Sequence, residues 1–499
     1  MSKQLPEHPD GEQLKKQAKD LLHEVRAGQS EAVARIGNEN RETFALHDAQ
    51  RVIAREYGFP SWTKLKQRVE SCAREEAKAR FHQAFDADDA GAVRQLLQRF
   101  PTPGPLLNTL VSAVRSREML DVLLAAGASI DAKSNWWAGG FGVLHQASPE
   151  LAQYAISRGA QVDIHAAARL GQAGRVRELL ATDPALARAR GGDGQTPLHF
   201  AATVEIAEDL LAAGGEIDAL DVDHTSTPAQ YMVDERQEVA RRLVERGCRT
   251  DLLMLAALGD RARITDLLER DPGCIRLRVT DEFFPMVGGA NEKGGGTIYQ
   301  WKLGWYVSAL DVAQKFGHRA IRRLLWERSP ADVRFLQACW EGDLAAARTA
   351  AQAGGIAARD LPQADQRHLA HAARKNQLPA VKTMLEMDFP IDGTSQHGAT
   401  ALHWGAYHGN AAMVELLLRH NPPLEPEDGD FSGIPAGWAV TPFGWAIHGS
   451  HSSWFRQSGD YGSVVEQLIE AGAKAPRVIV QASPEIMAVL QKHGKGGTH

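Results

Sequence analysis

The chain has 499 residues, 43% of them apolar and 24% charged, which is the composition of a folded chain and excludes a disordered one. Its 56 Lys and Arg against 62 Asp and Glu give a net charge of −6, which argues against a nucleic-acid binder working by bulk charge. No run approaches the roughly eighteen apolar residues of a membrane span, and the first residues lack the apolar core and cleavage site of a secretory signal.

Four widely spaced cysteines, Cys72, Cys248, Cys274 and Cys339, have no CxxC spacing. They read as reduced core thiols in a cytoplasmic protein with no disulfide framework, metal centre or cofactor. In chain order, residues 12–26 form an amphipathic pattern with Leu14, Ala18, Leu21, Leu22 and Val25 on one side. Residues 46–57 form a second. Gly58-Phe59-Pro60-Ser61-Trp62 breaks the pattern, and Ser61 caps a third helix through Leu65 and Val69.

From residue 78 the chain repeats itself. Leu123-Leu124-Ala125-Ala126-Gly127-Ala128-Ser129-Ile130-Asp131 returns as Ser157-Arg158-Gly159-Ala160-Gln161-Val162-Asp163 and as Leu210-Leu211-Ala212-Ala213-Gly214-Gly215-Glu216-Ile217-Asp218. Further copies end at Gly247 and Gly472. A second element reads Thr196-Pro197-Leu198-His199-Phe200-Ala201 and Thr400-Ala401-Leu402-His403-Trp404-Gly405. Weaker forms start at Ser226, Ser308 and Thr441. Thr-Pro opens a helix, a second helix follows as in 411–419, and glycine ends it in a left-handed conformation.

This pattern resembles the ankyrin repeat family, with its period of about 33 residues and its Thr-Pro-Leu-His signature. The resemblance implies an all-α solenoid of about twelve stacked units, each unable to bury its apolar face alone. Residues 164–192, 251–275, 331–359 and 366–394 keep the two-helix pattern without the signature. The expected organisation is an N-terminal helical unit at 1–77, an array at 78–476, and a closing cap and tail at 477–499. The segment from Arg55 to Lys66 is similar to a helical unit that precedes ankyrin arrays in many bacterial proteins.

Four insertions depart from the repeat, at 131–142, 276–307, 425–440 and 449–459. The first three read as β-hairpin fingers on one face of the array. The first holds Trp136 and Trp137. The second runs out as a strand over 275–279, past Asp281 and Glu282, and returns with Tyr299, Trp301, Leu303 and Trp305 alternating onto one side. The third holds Asp428, Asp430 and Trp438. The fourth brings His448, His451 and Trp454 between the two helices of the last repeat.

His199 and His403 occupy the Thr-Pro-Leu-His position, where the resemblance implies a histidine that hydrogen-bonds loop backbone between repeats, and His408 and His318 sit beside a helix-ending glycine, so all four read as structural. His403 and His408 are five apart, which is not a helical zinc pair, and the glycine run 288–296 lacks the phosphate-loop pattern. Two readings of function remain. In one, a concave groove with aromatic-rich fingers holds a protein or peptide partner, through Trp136, Trp137, Tyr299, Trp301, Trp305, Trp404, Trp438 and Trp454. In the other, the insertions close a pocket over a sugar-like small molecule. The chain would then be a carboxylate-dependent hydrolase of a glycoside or similar polar substrate, with Asp281, Glu282, Asp430, His448 and His451 as the catalytic candidates.

Overall fold

Two of the N-terminal helices begin where the sequence supplies a capping oxygen. Asp10 accepts from the Glu12 amide at 2.8 Å to open Gly11–Arg26, and Ser61 accepts from the Lys64 amide at 3.2 Å to open Trp62–Asp86. Each cap satisfies an amide that the first helical turn leaves without a partner. With Ser30–Ile36 and Leu46–Glu56 these helices enclose Leu14, Leu21, Val25, Val52, Ile53 and Leu65. Trp62–Asp86 outruns that core. Phe85 at its far end belongs to the next one, with Val93, Leu107 and Met119.

These elements come from a computed structural model that describes residues 3–6, 9–37, 39–102, 104–287, 295–395, 398–425, 441–475 and 482–494. The chain divides into two units, Met1–Glu216 and Ile217–His499. Beyond the N-terminal helices both units consist mainly of paired short helices. Every residue of Leu252–Leu258 and of Ala401–Tyr407 is buried, whereas Ala411–Leu418 buries only Met413, Val414 and Leu417. A first helix covered on all sides beside a second with one wet face is the burial pattern of a stacked repeat. The helix Pro484–Lys492 buries Ile486 and Leu490. Among the described residues no helix is long and apolar enough to cross a membrane.

The repeat histidines hold backbone. His199 Nδ1 accepts from the Thr196 amide at 3.0 Å and His403 Nδ1 from the Thr400 amide at 3.1 Å, closing the first turn of their own helices. His145, in the less obvious Gly142-Val143-Leu144-His145, does the same for Gly142. His318 and His408 instead reach backwards, placing Nε2 3.0 Å from the Ala257 carbonyl and 2.8 Å from the Arg374 carbonyl.

Among the described residues the expected β-hairpin fingers are not found: these residues contain no strand, only the isolated bridges Lys133 to Gly142, Arg278 to Ser308 and Thr394 to Thr400. In the first insertion the backbone turns locally, with the Gly139 amide on the Trp136 carbonyl at 3.1 Å and the Phe141 amide on Ser134 Oγ at 2.9 Å. In the second, the expected outgoing strand begins as the 3-10 turn Pro272–Arg276. The expected return strand coils into the helix Tyr299–Lys302, because Ile298 accepts from the Trp301 and Lys302 amides at 3.0 Å each. Tyr299 and Trp305 are therefore buried and Trp301 is exposed, so the three do not share one side.

Of the third insertion only Glu425 is described, and its carboxylate accepts from the Lys474 amide at 2.6 Å. Asp428, Asp430 and Trp438 lie outside the described residues. The fourth is shorter than expected, because the helix Pro442–Ser452 continues into it and carries His448 and His451. Gly449 permits this helix. A Cβ there would stand 2.0 Å from the Tyr407 carbonyl oxygen, so only glycine allows the two helices to approach so closely.

Candidate functional site

The site lies in the Ile217–His499 unit, where the insertion 276–307 meets the repeat helix His368–Arg374. Two short segments of the insertion are tied together. The Val279 amide donates to the Val307 carbonyl at 3.1 Å, and the Tyr306 amide donates to the Val279 carbonyl at 2.9 Å. Tyr306 adopts φ +63°, a left-handed conformation costly for a side chain of this size. The bend turns its ring flat onto His371, centroids 3.8 Å apart.

Beside it the Trp305 indole donates to His371 Nδ1 at 3.2 Å. Because an indole can only donate, the neutral imidazole carries its proton on Nε2. His368, one turn earlier, donates from Nδ1 to the Asp365 carbonyl at 2.6 Å, with the Tyr306 hydroxyl 3.0 Å from the same nitrogen. Burial pushes both histidines well below their usual range, and the neighbouring Arg278 acts in the same direction, so both are neutral at pH 7.

Arg374 lies over the Trp305 ring at 4.1 Å and 5.4 Å from the Trp404 ring. Its Nε and Nη1 are buried without a hydrogen bond, and burial lowers its pKa to about 10, against the pull of Asp281. Ring contact replaces part of the lost hydration of such a guanidinium. Arg278 is 6% exposed. Its guanidinium stands 5.4 Å from the Tyr306 ring and 3.5 Å from the Tyr306 carbonyl, with no ion pair among the described residues.

In front of these groups is a cleft of about 380 Å³, lined by Arg278, Thr280, Asp281, Glu282, Trp305, Tyr306, Asp365 and His371, among others. Asp281 and Glu282 are exposed on its wall, and burial raises the carboxyl pKa of Asp365 against the pull of Arg278 and Arg276. Ser395 also lines the cleft and accepts from the Trp404 indole at 2.7 Å. The geometry thus brings Asp281, Glu282 and Trp305 together, with Trp404 just behind.

The other candidates fall elsewhere. Tyr299 is wholly buried and donates its hydroxyl to Asp251 at 2.8 Å. Half-buried His448 and exposed Trp454 flank Tyr407 at 5.9 and 6.3 Å between ring centroids, in a cluster with His408, Trp404 and Trp445. Burial, with His451 nearby, lowers the His448 pKa, and His451 itself is exposed. Trp136 and Trp137 are exposed in the Met1–Glu216 unit.

Sequence reasoning passed over Arg278, Tyr306, His368, His371 and Arg374. One signal was present: two histidines three apart in the alanine-rich helix His368–Arg374 share a face, and that face is buried.

Comparison with known proteins agrees with the repeat architecture. A family model for ankyrin repeats in three copies matches residues 310–428, and a single ankyrin repeat matches residues 193–222. No curated protein matches the chain. Arg278, Trp305 and Tyr306 lie outside those matches and His368, His371 and Arg374 lie inside, so the cleft is built where a segment outside the matches meets the matched repeats. The chain carries ankyrin repeats.

Proposed function

We propose that the chain is a binding scaffold that holds a protein or peptide partner through aromatic side chains of its insertions. Ankyrin repeats generally mediate protein binding, which supports the class. The observation that carries the reading is exposure: Trp301 is 67% and Trp454 is 66% open to solvent. Both belong to segments that interrupt the repeat. Large aromatics left in water are unfavourable unless a partner covers them, and tryptophan is the residue most enriched among interface hot spots. Phe283 and Val287, exposed in the same insertion as Trp301, enlarge the apolar surface.

The test is quantitative capture from a lysate of the encoding organism with the natural chain and with Trp301→Ala/Trp454→Ala. A partner retained by the first and reduced by about tenfold or more in the second supports the reading, since one hot-spot tryptophan is worth about 2 kcal/mol or more. Equal retention by both overturns it.

The second reading is a carboxylate-dependent hydrolase acting on a glycoside or similar polar substrate. It draws support from Asp281 and Glu282 standing on one cleft with Trp305, an acid pair beside an aromatic platform. Hydrolysis of aryl glycosides that is lost in Asp281→Asn would favour it over the scaffold.

A further inference from the structure

The cleft in front of His371 holds more buried donors than the protein itself satisfies. Arg278 and His371 are each only 6% exposed and both line it. Arg278 makes one long contact to a carbonyl and no ion pair among the described residues. His371 accepts from Trp305 on Nδ1, which leaves its Nε2–H without a partner among the described residues. Thr280, another lining residue, has a buried hydroxyl with no hydrogen bond. A folded chain rarely strands one buried donor, because each loses its hydration for nothing. Thr280 Oγ1 is such a buried group, and together with the donors of Arg278 and His371 on the same cavity wall it points to an acceptor that arrives from outside.

The walls narrow the choice. Arg276 is already committed to Asp332 at 2.6 Å. Asp281, Glu282 and Asp365 also face the cleft, with Arg367 at its rim. These carboxylates disfavour a ligand of high negative charge, such as a phosphate dianion or a nucleic acid. A single carboxylate matches the planar fork of Arg278 and one N–H of a neutral imidazole. Trp305, Tyr306 and Phe283 provide apolar and aromatic wall for the rest of the molecule. About 380 Å³ is within the size range of small-molecule sites.

We propose that this cleft is a binding site for a small organic carboxylic acid with a flat apolar body, its carboxylate held by Arg278 and the Nε2–H of His371. The site is independent of the exposed tryptophans and stands whether or not a protein partner binds them. It assigns the insertion 276–307 a ligand of its own and gives Tyr306 a reason for its bend, which stacks it on His371 and brings its carbonyl to Arg278.

The test uses the full chain and isothermal titration with benzoate and indole-3-acetate, against their uncharged amides, inorganic phosphate, and a short peptide with a free C-terminal carboxylate. The expected result is a carboxylate dissociation constant below about 1 mM, with the amides weaker by about tenfold or more. Arg278→Lys keeps the charge but loses the fork, and it should weaken carboxylate binding by about tenfold with the circular dichroism spectrum unchanged. Amide controls on the natural chain keep the test decisive if that variant fails to fold. Equal binding of acids and amides, tighter binding of phosphate, or no binding of either acid overturns the proposal. Binding of the peptide alone also overturns it and moves the carboxylate to the end of a partner chain.

Discussion

Acid is expected to loosen the Ile217–His499 unit through His408, and the size of the effect follows from its surroundings. The imidazole is 1% exposed, with Nε2 on the Arg374 carbonyl at 2.8 Å and Nδ1 beside Ser453 Oγ at 3.2 Å. Burial lowers its pKa from 6.5 to about 4, and the charge of Arg374 adds to the effect. In the unfolded chain the ring takes up a proton near 6.5, whereas in the folded chain it waits until about 4. Within that window the unfolded state binds more protons, so stability falls as the pH falls. The stabilisation is whole above 6.5 and fully lost below about 4; at about 1.4 kcal/mol per pH unit the loss is about 3 kcal/mol.

His368 and His371 act in the same direction, since burial lowers both. Urea unfolding followed by tryptophan fluorescence, between about pH 7.5 and pH 4, should be compared for the natural chain and for His408→Gln. The variant should begin less stable by about 1–3 kcal/mol, having lost a buried hydrogen bond. The signed difference between the two should then move by about 3 kcal/mol in the variant's favour towards pH 4, because the glutamine has no proton to take up. Two stability curves that stay parallel over that range would refute the reasoning.

Further outcomes follow from the packing. Gly449→Ala should cost about 1–3 kcal/mol by denaturant titration, because its Cβ would stand 2.0 Å from the Tyr407 carbonyl oxygen and the helices must part. Tyr299→Phe should cost about 1–3 kcal/mol in the same assay, since it removes one donor from the buried carboxyl of Asp251, which keeps the Met254 amide at 2.9 Å and whose pKa burial already raises. Cys248 and Cys339 should resist iodoacetamide at about pH 8 in the native protein and react on unfolding. Burial holds both thiols at about 12, so almost no thiolate is present.

Much of the scaffold was legible because its signals are local. Asp10, Ser61 and Thr441 announce helix starts within three residues of the amides they cap. The Thr-Pro-Leu-His turns carry their own hydrogen-bond partner three residues on. The insertion 276–307 was not legible in this way. Alternating aromatics from Tyr299 to Trp305 suit a strand, but their destinations lie far along the chain: Tyr299 goes to Asp251, and Trp305 to His371. Those distant partners, not the local period, decide which rings are buried.

The candidate site was half legible for the same reason. Asp281, Glu282 and Trp305 stood out as acids and aromatics in an insertion, and the cleft does gather them. Arg278 and Arg374 look like ordinary solvent-facing charges in sequence, and only the insertion's path over the His368–Arg374 helix takes them out of water.

The central claim is that the insertions present a partner-binding surface on a repeat scaffold. Hydrogen exchange of the full chain, alone and with the partner recovered by capture, tests it most directly. The account predicts added protection in the segments around Trp301 and Trp454 when the partner is bound. Protection confined to other segments, with exchange around both tryptophans unchanged, would contradict it.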